Sequence, residues 1–235
     1  MEISPLYQIL IYLEDKRFAT LDEIKSWGIA VSRGVLGKME AMLLVEKQNK
    51  GQAVSYSLSK NGYEFLNSIL DQIHKDTQHW DGKWRMIWFS IPEHDRSKRD
   101  KFRRHLESLG LKPVLNSLWI TPMPVKDKIL LYVEKNDLNN MVMLVESDNI
   151  IGLSPQKILS AWKFDRFRVF YDDFMKKADQ ILNSSKKDRF ELKKLIFEYA
   201  TILNCEPNLP IELMPSDWPR FRANLYYKRI KRAIS

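Results

Sequence analysis

The chain has 235 residues, of which 44% are hydrophobic and 29% charged, enough for two or three small folded domains. No apolar run reaches the ~18 residues of a transmembrane helix, and the N-terminus lacks the features of a secretory signal. We therefore expect no membrane partner and a cytoplasmic location. The net charge of +8 favours a polyanionic partner, with nucleic acid as a better candidate than a membrane surface.

Three short helices and a hairpin are predicted for residues 1–60. Apolar residues at helical spacing indicate a first helix, and Thr20 with Glu23 forms a capping box that should start a second. A third helix should begin near Ser32, and a turn at Lys50 joins two short alternating strands. The order predicts a winged helix-turn-helix DNA-binding domain. The buried stripe of the third helix is expected to consist of Val35, Leu36, Met39, Met42 and Leu43.

The third helix of such a domain enters the DNA major groove, with its N-terminal residues nearest the bases. Gly34 and Gly37 weaken this helix by about 1 kcal/mol each relative to alanine, but would permit close approach of its backbone to DNA. Residues 1–60 carry eight Lys and Arg against seven acids, so the basic groups must gather on one face. A solvated helix face and a protein-docking module are the alternatives. The candidate DNA contacts are Ser32, Arg33, Lys38, Lys47, Lys50 and Gln52.

Residues 61–79 are predicted to form a linker helix, and residues 80–153 a second domain. This domain begins with a buried strand over 86–91, and its predicted order is β-α-β-β-α-β, which is the ferredoxin-like pattern. Two helices would cover only one face of the four-stranded sheet. A second subunit would cover the other face, so we expect a dimerisation domain.

The first helix of this central domain carries a run of basic residues. Residues 83–105 have eight Lys and Arg against three acids. Such a run is most often a solvated face, and the alternatives are contact with phosphate or binding of an anionic effector. The candidate anion contacts are Arg96, Arg99, Arg103 and Arg104.

The C-terminal segment, residues 154–235, is predicted to be helical. Helices are expected over 162–182, 190–203 and 221–234, and the last of them is strongly basic. Trp218, between Asp217 and Pro219, is expected to lock an extended proline-rich stretch onto the domain. Aromatic residues of the first helix, at helical spacing, are core residues or line a ligand pocket: Phe167, Phe170, Tyr171 and Phe174.

The sequence contains no P-loop, no Rossmann glycine pattern, and no HExxH or GxSxG motif. Its four histidines are scattered, and its single cysteine, Cys205, excludes an intramolecular disulfide and a multi-cysteine metal site. We expect Cys205 to be a buried structural thiol. We predict no catalytic residue, no metal site and no cofactor.

Three stretches resemble the PaaX-like transcriptional repressors, named for the repressor of phenylacetic-acid catabolism. They are YSLSKNGYEFL, the longer WDGKWRMIWFSIPEHDRSKRDKFRRHLESLGLKPVLNSLWITP, and NLPIELMPSDWP near the end. This resemblance implies a cytoplasmic homodimer that binds operator DNA and is released by an acyl-coenzyme A thioester.

The central domain of that family is similar to the small CRISPR-associated ferredoxin-like nuclease, which carries a metal-binding aspartate near the end of its first strand. Ser90 stands where that acid would be expected, and a hydroxyl is a poor ligand for a hard divalent cation. Asp81, Glu93 and Asp95 are nearby in sequence but do not occupy that position. This departure weakens the hypothesis of a metal-dependent nuclease.

The combined expectation is an α+β protein with a winged helix-turn-helix, a ferredoxin-like domain and a C-terminal helical domain. It would bind double-stranded DNA as a homodimeric, ligand-released repressor and would not be an enzyme. The alternatives are a metal-dependent nuclease and a non-catalytic nucleic-acid or protein docking module.

Overall fold

The computed structural model describes residues 3–50, 53–74, 79–115, 117–152, 154–185 and 187–234. Within these ranges the fold is α+β, with ten α-helices and two antiparallel sheets, which confirms the predicted class. The chain forms two compact units, which are described separately. The first consists of Met1–Lys75, Arg166–Glu206 and Trp218–Ser235, and the second of Asp76–Asp165 and Pro207–Asp217. None of the described helices is long and apolar enough to cross a membrane.

The N-terminal part of the first unit contains four helices and a small sheet. Its strands pair antiparallel in the order β1-β3-β2. In chain order the elements are α1 (Pro5–Lys16), β1 (Phe18–Thr20), α2 (Leu21–Ser26), α3 (Arg33–Ala41), β2 (Val45–Lys50), β3 (Ala53–Leu58) and α4 (Lys60–Leu70).

Hydroxyl side chains cap the N-termini of three of these helices. The Thr20 hydroxyl accepts the Glu23 backbone N–H, and the Glu23 carboxylate accepts the Thr20 N–H at 2.7 Å, so the predicted capping box is confirmed. Ser32 begins α3 and Ser59 begins α4 by the same kind of bond, with lengths of 3.3 and 3.0 Å. Each cap satisfies a backbone donor that would otherwise lack a partner in the first helical turn.

The buried face of α3 is shorter than predicted. Leu36 and Met39 are fully buried, but Met42 and Leu43 are 55% and 63% exposed. The helix ends at Ala41, and Leu43 takes a φ of 57°, which turns the chain away from the helical path. The prediction that Met42 and Leu43 continue the buried stripe was therefore wrong.

The second unit is built around a four-stranded antiparallel sheet in the order β5-β6-β4-β7. The central strand β4 pairs with both β6 and β7. In chain order its elements are β4 (Trp84–Phe89), α5 (Arg96–Ser108), β5 (Lys112–Leu115), β6 (Leu118–Thr121), α6 (Lys126–Lys135), β7 (Val142–Ser147) and α7 (Pro155–Leu159).

Both faces of this sheet are largely covered within the chain. Ile87 and Trp119 lie on one face, in a hydrophobic core with Phe102 of α5 and Ile129 of α6. The residues that alternate with them point to the other face, and Trp84, Met86, Leu118 and Ile120 are no more than 9% exposed. These four side chains are therefore already buried in the single chain.

Three long helices complete the first unit: α8 (Arg166–Leu182), α9 (Arg189–Cys205) and α10 (Pro219–Ile234). The helix predicted from residue 162 begins at Arg166, because Lys163 takes a left-handed φ of 49°. Phe190, Phe197 and Ala200 of α9 belong to the same hydrophobic core as the residues of α1, α3 and α4. The N-terminal helices and α9 therefore share one interior.

Candidate nucleic-acid interface

The exposed face of α3 carries Arg33 and Lys38, two of the six residues predicted to contact DNA. Leu36 and Met39 point into the core, whereas Arg33, Gly37 and Lys38 are exposed. Because Ser32 caps the helix, Arg33 lies in its first turn. Lys38 follows five residues later, or about 1.4 turns, so the two exposed side chains project from opposite edges of the exposed helix surface.

The structure brings Arg33 and Lys47 to one cleft, although they belong to different elements of the domain. The cleft lies between α2, α3 and the β2–β3 hairpin, and Ser32 also lines it. Lys25, in the last turn of α2, lines the same cleft and was missed from the sequence, because the sequence patterns pointed only to the third helix and the wing. Lys38 is not among the lining residues.

The cleft is basic only in part, since the acidic side chains of Asp22 and Glu40 also line it. Because these acids offset part of the positive charge, Lys25, Arg33 and Lys47 would contact an anion as separate cations and not as one basic patch. Lysine and arginine contacts of this kind are those that proteins use for DNA phosphates.

The β2–β3 hairpin occupies the place of the predicted wing, and in it Lys47 pairs with Tyr56 and Lys50 with Ala53 through the backbone. Lys47 is exposed. Gln52 and the side chain of Lys50 lie outside the described residues, so their predicted contacts have no structural counterpart here.

Two glycines leave the exposed face of α3 without side chains. A Cβ at Gly37 would meet no atom within 4 Å, and a Cβ at Gly34 would meet only Ser32 Oγ, at 3.7 Å. Gly62 of α4 is different, because its Cβ would overlap the carbonyl oxygen of Leu44. Packing within the protein therefore explains why position 62 is a glycine, but it does not explain the glycines at positions 34 and 37.

The four arginines predicted as anion contacts on α5 differ in the contacts that they already make within the protein. Arg99 donates to the Glu93 carboxylate at 2.7 Å and holds the pKa of that carboxyl below its usual range. Arg96 lies 3.9 Å from Asp100, and Arg104 Nε donates to the Asp100 carbonyl at 3.3 Å. The Arg103 guanidinium lies 5.9 Å from the centre of the Trp119 ring. All except Arg99 are exposed.

Two of the three carboxylates considered for a metal-dependent nuclease, Asp81 and Glu93, are paired with arginines. Asp81 accepts from Arg85 Nη1 at 2.8 Å, and this bond lowers the pKa of Asp81. Arg85 is buried and also donates to Glu146 at 2.9 Å. In the described ranges, no group of three or more His, Cys, Asp and Glu residues is arranged to hold a metal ion. Within the WDGKWR stretch, buried Arg85 therefore pairs with exposed Asp81, and it also pairs with the partly buried Glu146 of β7.

Trp218, which was predicted to lock the proline-rich stretch onto the domain, is buried in the first unit. It is 1% exposed, and its Nε1 donates to Glu206 at 2.6 Å, while the Tyr171 hydroxyl donates to the same carboxylate at 2.5 Å. Burial raises the pKa of Glu206. The neighbouring Cys205 is exposed, so the prediction of a buried thiol was wrong.

The predicted aromatic residues of α8 are mainly core residues. Phe167, Tyr171 and Phe174 are at most 1% exposed. Phe174 and Tyr199 stack with ring centres 5.2 Å apart, and Tyr199 stacks on Tyr227 of α10 at 5.3 Å. These rings join α8, α9 and α10.

Two family models match consecutive parts of the chain. Residues 77–159 match the PaaX protein central Cas2-like domain, and residues 161–235 match the PaaX-like protein C-terminal domain. The two matches together span about two thirds of the sequence.

Two individual proteins are similar over most of the chain. An uncharacterized protein, Rv0674, from Mycobacterium tuberculosis has a similar structure, with a TM-score of 0.55 and 15% identity over 98% of this chain and 95% of that one. The ATP-dependent zinc metalloprotease FtsH of Neorickettsia risticii (strain Illinois) is 22% identical over 201 residues, which cover 73% of this chain. The match spans only 30% of that protease, and the present sequence has neither a P-loop nor an HExxH motif.

Proposed function

The chain belongs to the PaaX-like family, and from this we propose that it is a DNA-binding transcriptional regulator rather than an enzyme. In this proposal it is a ligand-released repressor that binds a two-fold symmetric operator as a homodimer in the cytoplasm. The exposed face of α3, with Arg33 and Lys38 above a buried stripe, is the observation that carries the proposal.

The arrangement of residues 1–60 supports a winged helix-turn-helix. Three helices precede an antiparallel hairpin, and the short strand β1 pairs with the second strand of that hairpin. In such a domain α3 lies in the major groove, where Arg33 would meet base edges. Arginine commonly binds guanine through two hydrogen bonds in that groove. Lys25 of α2 and Lys47 of the β2–β3 hairpin would contact DNA phosphates.

The central unit supports a ferredoxin-like assignment. Its elements follow the order β-α-β-β-α-β, and all adjacent strands of the sheet are antiparallel. We assign this domain a share in dimerisation. An acyl-coenzyme A thioester is the candidate effector, because the family resemblance implies it.

A selection of bound sequences from a random duplex DNA pool, at near-physiological salt, tests the proposal. We expect enrichment of an inverted repeat, whose half-site spacing reports the separation of the two recognition helices. Binding without enrichment would contradict sequence-specific regulation, and absence of binding would favour the docking module.

Paired variants then test the assigned helix. Replacing both Arg33 and Lys38 by alanine should weaken binding to the selected operator at least tenfold and reduce its salt dependence. Lys176→Ala is the matched control, because Lys176 is an exposed cation on α8 of the same unit. Equal affinities of the double variant and the control would show that α3 is not the recognition helix.

A further inference from the structure

A small cleft lies where the N-terminal helices meet the C-terminal helices of the first unit. It has a volume of about 190 Å³. Its walls come from α1, α4, α9 and α10 and are mainly apolar. The lining residues are Glu14, Tyr63, Leu66, Asn67, Leu70, Lys193, Ile196, Phe197 and Ile234.

The charged groups at this cleft already neutralise one another. The Lys193 ammonium lies 2.5 Å from Glu14 and 2.9 Å from Asp15, and its side chain is only 13% exposed. Asp15 also pairs with Arg189, at 3.3 Å. An anionic ligand would have to compete with two carboxylates for the cation that lines the cleft, so the cleft favours an uncharged molecule.

The volume sets the size of the part of such a molecule that the cleft can enclose. A dry cavity of about 150 Å³, lined by aliphatic and aromatic side chains, is large enough to bind benzene. The present cleft, lined by Leu66, Ile196 and Phe197, is slightly larger and partly open. One aromatic ring with a short substituent therefore matches its size.

Helix α4 connects the cleft to the end of the recognition helix. Tyr63 and Leu66 of α4 line the cleft, and Ser59 lies at the start of the same helix. The Ser59 hydroxyl donates to the Leu43 carbonyl, and its backbone N–H donates to Leu44 at 3.1 Å. A displacement of α4 would therefore move the segment directly after α3.

We propose that this cleft binds an uncharged, mainly apolar molecule about the size of one aromatic ring, and that this binding changes operator affinity through α4. The ligand must bind the DNA-competent and DNA-incompetent arrangements with different affinities, since otherwise it shifts neither population. The regulatory part of this inference rests on the proposed function, whereas the binding part does not.

Binding is tested first, without DNA, by titrating the ¹⁵N-labelled full chain with benzyl alcohol and, separately, with benzoate. We expect benzyl alcohol to shift backbone amide signals of α4 and α9, and benzoate to bind at least tenfold more weakly. Ile196→Trp should fill the cleft and abolish these shifts. Leu225→Trp is the control, because Leu225 is 60% exposed on α10 and is not part of the cleft lining.

The exposed rim residue Asn67 supplies a second blocking variant, Asn67→Trp, in case the half-buried position 196 does not tolerate tryptophan. No binding of benzyl alcohol to the wild type would overturn the proposal, as would binding that both blocking variants retain. Equal or tighter binding of benzoate would overturn the assignment to uncharged ligands.

Regulation is tested by measuring operator affinity with and without benzyl alcohol. We expect at least a threefold change for the wild type and for Leu225→Trp, and none for a folded blocking variant. Unchanged operator affinity in a protein that binds the probe would overturn the regulatory role. Failure of the wild type to bind any duplex would instead contradict the proposed function and leave the binding result intact.

Discussion

Replacing Gly37 by alanine should stabilise the protein and weaken its binding to the operator. Glycine costs about 1 kcal/mol relative to alanine in the interior of a helix. A methyl group at this position meets no atom within 4 Å in the free protein, so no steric cost offsets the gain. The expected increase in stability of about 1 kcal/mol corresponds to a rise of roughly 2–4 °C in Tm for a chain of this size.

The opposite effect is expected in the complex. If the backbone of α3 lies close to the base edges, the added methyl group occupies the space between helix and DNA. A loss of about tenfold in operator affinity, or about 1.4 kcal/mol, is then expected. Thermal unfolding and fluorescence anisotropy with labelled operator measure the two quantities on the same preparation.

Each quantity can refute a different step of this reasoning. A lower Tm for Gly37→Ala would mean that the exposed face of α3 is assigned incorrectly. A higher Tm with unchanged operator affinity would mean that this part of α3 does not approach DNA closely. Ala41→Gly, at an exposed position near the end of the same helix, is the reverse control and should lower Tm.

Three further predictions concern stability. Gly62→Ala should destabilise the protein strongly, because the added methyl group would overlap the Leu44 carbonyl oxygen. Urea unfolding measures this, and a loss of stability no larger than that of an ordinary surface substitution would contradict the packing. Asp81→Ala should cost about 2 kcal/mol by removing an acceptor from buried Arg85, as measured by the same assay. Burial raises the pKa of Glu206 in the folded protein above its value in the unfolded chain. The protonated carboxyl therefore contributes fully to the free energy of unfolding below the unfolded pKa, and this contribution is lost as pH rises through the folded pKa. The stability of Glu206→Gln relative to wild type should therefore increase as pH rises from 4.5, and a pH-independent difference would refute this.

Local features of the fold were predictable because neighbours in the sequence determine them. The capping box of Thr20 and Glu23 and the start of α3 after Ser32 depend on hydrogen bonds within one helical turn. The apolar stripe of α3 likewise located Leu36 and Met39 correctly in the core. Bringing such near neighbours together costs little chain entropy, so these features follow from residue type and spacing.

The errors and omissions at the candidate interface have a tertiary cause. Met42 and Leu43 continue the helical spacing, but the chain leaves the helix there, and Ser59 of a later element binds the Leu43 carbonyl. Lys25 was missed because it joins Arg33 only when α2 and α3 form one cleft. No pattern within a single helix reports either event.

The amino-acid sequence by itself determined the α+β class, the starts of α2 and α3, and the family to which the chain belongs. The tertiary structure decided that Phe190 and Phe197 enter the same core as α1, and that Lys193 pairs with Glu14 and Asp15. The same packing decided that both faces of the central sheet are largely covered within the chain. These contacts join segments that are distant in the sequence, and their positions depend on how complete helices pack against each other rather than on any local pattern.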